Sequence, residues 1–270
     1  MPPFPTKRML GIDFFVGTAA EAIAHILKSG GLIVAPAAPS FIALQDDPDY
    51  RRAIADADLA IADSGWAVLF WRLLRREKLT RISGLALFKA LLETTDARIP
   101  GNLFWILPSE KAKTKTVEFG RVSGYPITAD DCYVAPRYQR SEVRDQKSEI
   151  THLPSRPSPG IEDPKLVSIV EQRKPKHIII GIGGGMQDKL GSYLKHQLTY
   201  RPGIYCIGAA PGFVTGDQIV IPMWADRFFV GWIFRIIGRP REYLTRYWKA
   251  RLLPLLIIKY GTRIPQLRTS

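Results

Sequence analysis

Cysteine is nearly absent from this 270-residue chain, with only Cys132 and Cys206 present. Two thiols cannot make a disulfide framework or a Cys-rich metal centre, so nothing asks for an oxidising compartment. Histidine is also scarce. His25, His152, His177 and His196 are scattered, without a His-Glu-x-x-His motif, and no protein-held metal site is expected. Long apolar runs are missing. Residues 1–8 lead into no sustained apolar stretch, so no secretory signal is expected. The longest run near the C-terminus, 252–258, is seven residues broken by Pro254, whereas a spanning helix needs roughly 20. There is no Gly-x-Ser-x-Gly elbow and no Asp-x-Asp pair directly after a strand. Asp56 and Asp58 fall in a stretch read as helical and solvated.

Acidic residues are outnumbered, 25 Asp+Glu against 38 Lys+Arg, for a net charge of +13. The excess is concentrated. Residues 222–270 hold ten Lys+Arg and two Asp+Glu, a net of +8, together with Trp224, Trp232 and Trp248. The remainder is ordinary for a globular chain, at 46% hydrophobic and 23% charged, which is too apolar for disorder.

Short apolar runs at 31–35, 59–62, 103–107, 177–182 and 204–208 read as buried strands. Helical spacing fills the intervals at 64–74, 85–92, 111–122, 164–172 and 186–198, and a helix begins at Thr18, with Glu21 completing a capping box. Such alternation predicts an α/β fold with a mostly parallel, Rossmann-like sheet and helices on both faces. The expected organisation is a core over 1–221, interrupted by a polar, proline-rich loop at 136–162, and a basic, aromatic, amphipathic helical appendage over 222–270. The loop reads as an insertion without chemistry sooner than as a lid.

In an open parallel sheet, ligands bind at the carboxyl ends of the strands. Three segments follow such ends. Asp63, before Ser64-Gly65, reads either as a helix cap or as a general base. Gly181-Ile-Gly183-Gly184-Gly185-Met-Gln187-Asp188 reads either as a tight strand–helix turn or as a backbone cradle for a nucleotide sugar. It fails the dinucleotide fingerprint, since Met186 stands at the third glycine position. The turn Gly208-Ala-Ala-Pro-Gly212-Phe-Val-Thr-Gly216 is the third.

In order, these segments resemble the WecG/TagA/CpsF family of bacterial glycosyltransferases. The resemblance runs from about Gly11 to about Trp248 and rests on four blocks. These are the strand 32–36 leading to Asp47-Pro-Asp-Tyr; Ala57-Asp-Leu-Ala-Ile-Ala-Asp63-Ser-Gly65 followed by Arg81-Ile-Ser83-Gly84; the glycine-rich turn through Gln187-Asp188-Lys189; and Gly208 to Phe213 followed by Ala225-Asp-Arg227, Trp232-Ile-Phe-Arg235 and Arg239-Pro-Arg241. The resemblance implies an inverting, metal-independent transferase without a cofactor. Such enzymes move a hexose, or its N-acetyl or uronic derivative, from a UDP-sugar to a polyprenyl-diphosphate-linked saccharide, building exopolysaccharide or cell-wall glycan.

By the same resemblance Asp63 is the base. Arg81, Ser83, Gly183, Gly185 and Gln187 line the substrate pocket, and Arg227, Arg235 and Arg241 neutralise the leaving diphosphate. The expected location is cytoplasmic, on the anionic inner leaflet, where the tail either contacts lipid or packs on the core. Nucleic acid is not an expected partner, and a homo-oligomer is left open. The family's Thr-x-Asn after the first strand is replaced by Ala35-Pro-Ala37. An Asn donor lost from a sugar pocket costs about 1–3 kcal/mol, so the alternative is a catalytically weakened paralogue that binds a nucleotide sugar or a partner.

Overall fold

The computed structural model describes residues 4–138, 161–217, 248 and 250–268. Among them a single sheet has eight strands: β1 (Thr6–Met9), β2 (Ile12–Phe15), β3 (Gly31–Val34), β4 (Leu59–Ala60), β5 (Leu103–Leu107), β6 (Cys132–Val134), β7 (His177–Ile180) and β8 (Gly203–Cys206). The order across the sheet is β1-β2-β4-β3-β8-β7-β5-β6. Only the β1–β2 hairpin is antiparallel. That hairpin and β6 have no counterpart in the sequence reading, because each is a short strand at or near an edge.

Ten helices are described: α1 (Ala19–Ser29), α2 (Ala38–Asp46), α3 (Pro48–Ala55), α4 (Gly65–Arg75), α5 (Gly84–Leu92), α6 (Glu110–Ser123), α7 (Pro164–Arg173), α8 (Met186–Gln197), α9 (Ala210–Thr215) and α10 (Leu253–Tyr260). Their starts are written locally. Thr18 and Glu21 form the capping box expected for α1, and Ser64, Ser83 and Ser109 cap α4, α5 and α6. The strand at 59–62 is shorter than its apolar run. After Ala60, Ile61 still donates to Val34 O at 2.9 Å, and the chain then turns toward Asp63.

Alternation along the strands divides the core in two. Leu32, Val34, Ile178, Ile180 and Ile204 face α2, α3, α4, α7, α8 and α10, while Ile33, Trp105, Ile179 and Tyr205 face α1, α5 and α6. The continuous apolar strands are therefore covered on both sides. Fully burying one such Leu or Ile contributes about 1.5–3 kcal/mol.

The C-terminal segment 250–268, part of the appendage defined by charge, packs on this core. Leu253, Leu256 and Ile257 of α10 are buried with Trp71 and Val68 of α4. Leu10 and Gly11 donate to the carbonyls of Gly261 and Thr262. The polar stretch from 136 is pinned at both ends. Tyr133 and Tyr138 donate their hydroxyls to Asp163 Oδ2 at 2.9 and 2.8 Å, while Asp163 Oδ1 caps α7. Residues 139–160 lie outside the described residues.

Asp56 and Asp58 are not a solvated helical pair. Asp56 ends α3, and Asp58 lies in the turn before β4. Lys195 reaches both carboxylates, Arg201 bonds Asp58 at 2.8 Å, Ser192 bonds Asp56 at 2.8 Å, and Leu32 N–H donates to Asp58 at 2.8 Å. This network closes the amino ends of the strands, opposite the segments singled out for chemistry.

Candidate functional site

After β3 the chain enters α2 on one face of the sheet; after β8 it enters α9, whose Ala210 belongs to the opposite layer. The two strands are neighbours, pairing Val34 with Cys206. Diverging connections at adjacent carboxyl ends open a crevice at this point of an open α/β sheet.

Asp63 stands at this edge, half-buried. It does not cap the helix that follows it, because Ser64 accepts the Ala67 N–H and takes that role for α4. Instead Asp63 Oδ1 accepts the N–H of Gly84, in the first turn of α5, at 2.9 Å. Two more bonds tie the same segments: Arg81 Nε donates to Asp63 O at 3.0 Å, and Ile82 N–H donates to Ala62 O at 3.3 Å. The Arg-x-Ser-Gly block is thus stitched alongside the Asp63 block. Ser83 is buried and caps α5 by accepting the Ala86 N–H at 3.1 Å. Among the described residues Asp63 Oδ2 carries no hydrogen bond, which leaves that oxygen able to take a proton.

The glycine-rich turn approaches from β7. Gly185 has φ +86°, a left-handed conformation that disfavours any side chain, and an added Cβ there meets nothing within 4 Å. Gly183 O accepts the Gln187 N–H at 3.2 Å, starting α8. Gln187 is buried and donates from Nε2 to Cys206 O at 3.2 Å, against the Gly208 turn. Gly208 has φ +58°. A Cβ on Gly181 would lie 3.5 Å from Gly208 O, and one on Gly84 would lie 3.3 Å from Ile207 O. The ends of β4, β8 and β7 therefore converge, with Asp63, Arg81, Ser83, Gly183, Gly185 and Gln187 around them. The N-termini of α5 and α8 share this edge, where the helix dipoles favour an anion.

Arg227, Arg235 and Arg241 lie outside the described residues. Sequence reasoning assigned no role to Asp188, a fully buried carboxyl in the first turn of α8. The sequence carried no signal for this burial, because Gln187, Lys189 and Ser192 around it on the helix are polar. Ala37 stands at the N-cap of α2 without a side-chain hydrogen bond, which is the structural trace of the missing polar pair after β3.

The family model for the glycosyl transferase WecG/TagA/CpsF family matches residues 7–118 and 136–266. The chain belongs to this family. Membership implies a sugar donor and an acceptor, and the matched ranges include every residue of the converging edge. No curated protein matches the chain. Among the described residues no group of three or more His, Cys, Asp and Glu side chains is placed to hold a metal ion. The WecG/TagA/CpsF match also extends over α10, in keeping with the packing of that helix into the core.

Proposed function

We propose that this chain is an inverting hexosyltransferase that moves a sugar from UDP to a polyprenyl-diphosphate-linked saccharide. The observation that carries the reading is the Asp63 carboxylate. One oxygen is anchored on Gly84 N–H and the other is unbonded among the described residues, beside two helix N-termini. In the reaction the acceptor hydroxyl oxygen attacks the anomeric carbon as Asp63 Oδ2 takes its proton. The bond from that carbon to the diphosphate breaks, and UDP leaves with the electron pair. Helix N-termini, Arg81 and the arginines Arg227, Arg235 and Arg241 supply positive potential for the departing charge.

A lipid-linked acceptor calls for a membrane surface, and α4 with α10 supplies a suitable one. No helix among the described residues is long and apolar enough to cross a membrane. The two helices pack together, yet Leu73, Leu255 and Ile258 are 63%, 62% and 60% exposed. Arg72, Arg75 and Lys259 on the same helices are exposed, and Arg251 lies 3.8 Å over the exposed Trp248 ring. Apolar side chains among cations suit an anionic leaflet, where each basic residue is worth about 1 kcal/mol.

A second reading, a nucleotide-sugar-binding protein with weakened turnover, is favoured by Ala35 and Ala37 at the end of β3. A panel of UDP-sugars with a lipid-diphosphate-sugar acceptor, with chelator present, separates the two. Inverted product from one donor is the expected result. UDP binding without product from any donor would favour the binding protein.

A further inference from the structure

Gly183, Gly184 and Gly185 have no side chains to hold them, so this wall of the crevice is fixed by the helix that follows. On the sheet side, the first turn of α8 is held by Gln187. Its Nε2 donates to Cys206 O at 3.2 Å, and its carbonyl accepts from Cys206 Sγ at 3.1 Å. On the outer side it is held by Lys189, which is 2% exposed and bonds Asp47 Oδ2 through its ammonium at 2.8 Å. The second oxygen, Asp47 Oδ1, accepts the Tyr50 N–H at 2.9 Å and caps α3. Asp47 also ends α2, so one carboxylate joins three helices.

α2 is the facing wall. It leaves the end of β3 at Ala38, and a Cβ on Gly184 would lie 3.7 Å from Ser40 Oγ in its first turn. The two walls thus approach at Ser40 and Gly184 and are tied at Asp47 and Lys189. Tyr50 and Ile54 of α3 share one apolar cluster with Leu190 and Leu194 of α8, but apolar burial is non-directional and sets no register. An ion pair does, and a second one, Lys195 with Asp56, stands at the far end of α3. A buried pair adds little net stability, because desolvating both charges offsets their attraction. Lys189 is not a ligand for the diphosphate either, being sealed from water and committed to Asp47.

We propose that Lys189 is a positioning residue for the glycine-rich turn: through Asp47 it sets the spacing between that turn and α2. The consequence for the donor sugar rests on the function proposed above; the spacing itself does not.

The double variant Asp47→Asn with Lys189→Met separates position from stability. It removes both charges, keeps an Oδ1 acceptor for the α3 cap and leaves no buried charge unpaired, so its thermal midpoint should stay close to that of the wild type. Its amide hydrogen exchange over 183–187 should accelerate by about tenfold. Its KM for the UDP-sugar should rise about tenfold, with kcat at saturating donor changed less than about twofold and the acceptor KM unchanged. Lys195→Met, at the other end of the helix pair, should lower the thermal midpoint and leave both the donor KM and the exchange at 183–187 unchanged. Should the double variant fail to fold, Asp47→Glu keeps the pair but lengthens it by one methylene, and the same readouts apply. Wild-type exchange at 183–187 in a folded variant, or a donor KM that moves only in step with thermal stability, overturns the proposal. Exchange is read without substrate. If the wild type binds no UDP-sugar, the functional reading fails, while the exchange result still decides the role of Lys189.

Discussion

Asp63 and Gly84 lie twenty-one residues apart and are joined by one hydrogen bond of 2.9 Å, from the Gly84 N–H to Asp63 Oδ1. The bond links the end of the sheet strand β4 to the start of α5, which packs on one face of the sheet, and fixes the carboxylate without consuming both its oxygens. A carboxylate held this way can act as both a structural acceptor and a base.

Asparagine at this position separates the two roles. Asp63→Asn keeps an acceptor for Gly84, so its urea midpoint should stay close to that of the wild type, while sugar transfer falls at least about tenfold. Asp63→Ala also loses the acceptor and should be destabilised by about 1–3 kcal/mol. Transfer at the wild-type rate in Asp63→Asn would remove Asp63 from catalysis.

The unfilled cap of α2 makes a prediction of opposite sign. Ala37 has φ −82° and ψ 164°, the extended conformation of a helix N-cap, but no side-chain acceptor. Because Pro39 has no N–H and the Ser40 N–H already donates to Ala37 O at 2.9 Å, Ala37→Asn should stabilise the protein by at most about 0.5 kcal/mol, seen as a slightly higher urea midpoint at unchanged slope. If the polar side chain also meets the donor sugar, the preferred UDP-sugar changes in the same variant.

The charge network at the amino ends of the strands sets an acid limit. Burial alone would raise the Asp58 carboxyl, but the Leu32 N–H, Lys195 and Arg201 outweigh it and hold it below its ordinary value. A lowered folded-state value contributes stability above the unfolded value of 3.8, and that contribution is lost as pH falls through the folded one. Asp58→Asn should cost about 1–3 kcal/mol at neutral pH. The deficit should shrink toward zero in strong acid, where wild type and variant converge. Urea titrations at both pH values measure it.

The α4–α10 surface is testable by flotation on vesicles. Replacing Leu73 and Ile258, both mostly exposed, with Glu removes apolar contact and lowers the local positive charge. Binding to anionic vesicles should fall at least about tenfold, with little change in thermal stability. Equal flotation of variant and wild type would show that lipid, if bound, is met elsewhere.

How much of this was written in the chain can be followed residue by residue. The cap of α4, read at Asp63, belongs to Ser64, while the capping box at Thr18 and Glu21 was legible because both its members lie within one helical turn. So were the buried strands at 103–107 and 177–182, whose unbroken apolar runs fit only a sheet covered on both faces. The hairpin of β1 and β2 was not legible. Its strands are four residues each, too short for periodicity to separate them from loop. Asp58 was misread as solvated because the partners that bury it, Lys195 and Arg201, lie more than 130 residues further on.

The sequence by itself determined the alternation of strands and helices, the boundaries of most helices and the three segments that follow strand ends. Tertiary structure alone decided that Asp63 holds Gly84 rather than its own helix, that Leu253, Leu256 and Ile257 complete the core, and that Asp188 and Gln187 are sealed from water together. The reason is physical. Caps and periodicity are local free energies, expressed within a turn or two, whereas strand order, burial and the pairing of polar groups arise only when segments distant in the chain come within a few ångströms of each other.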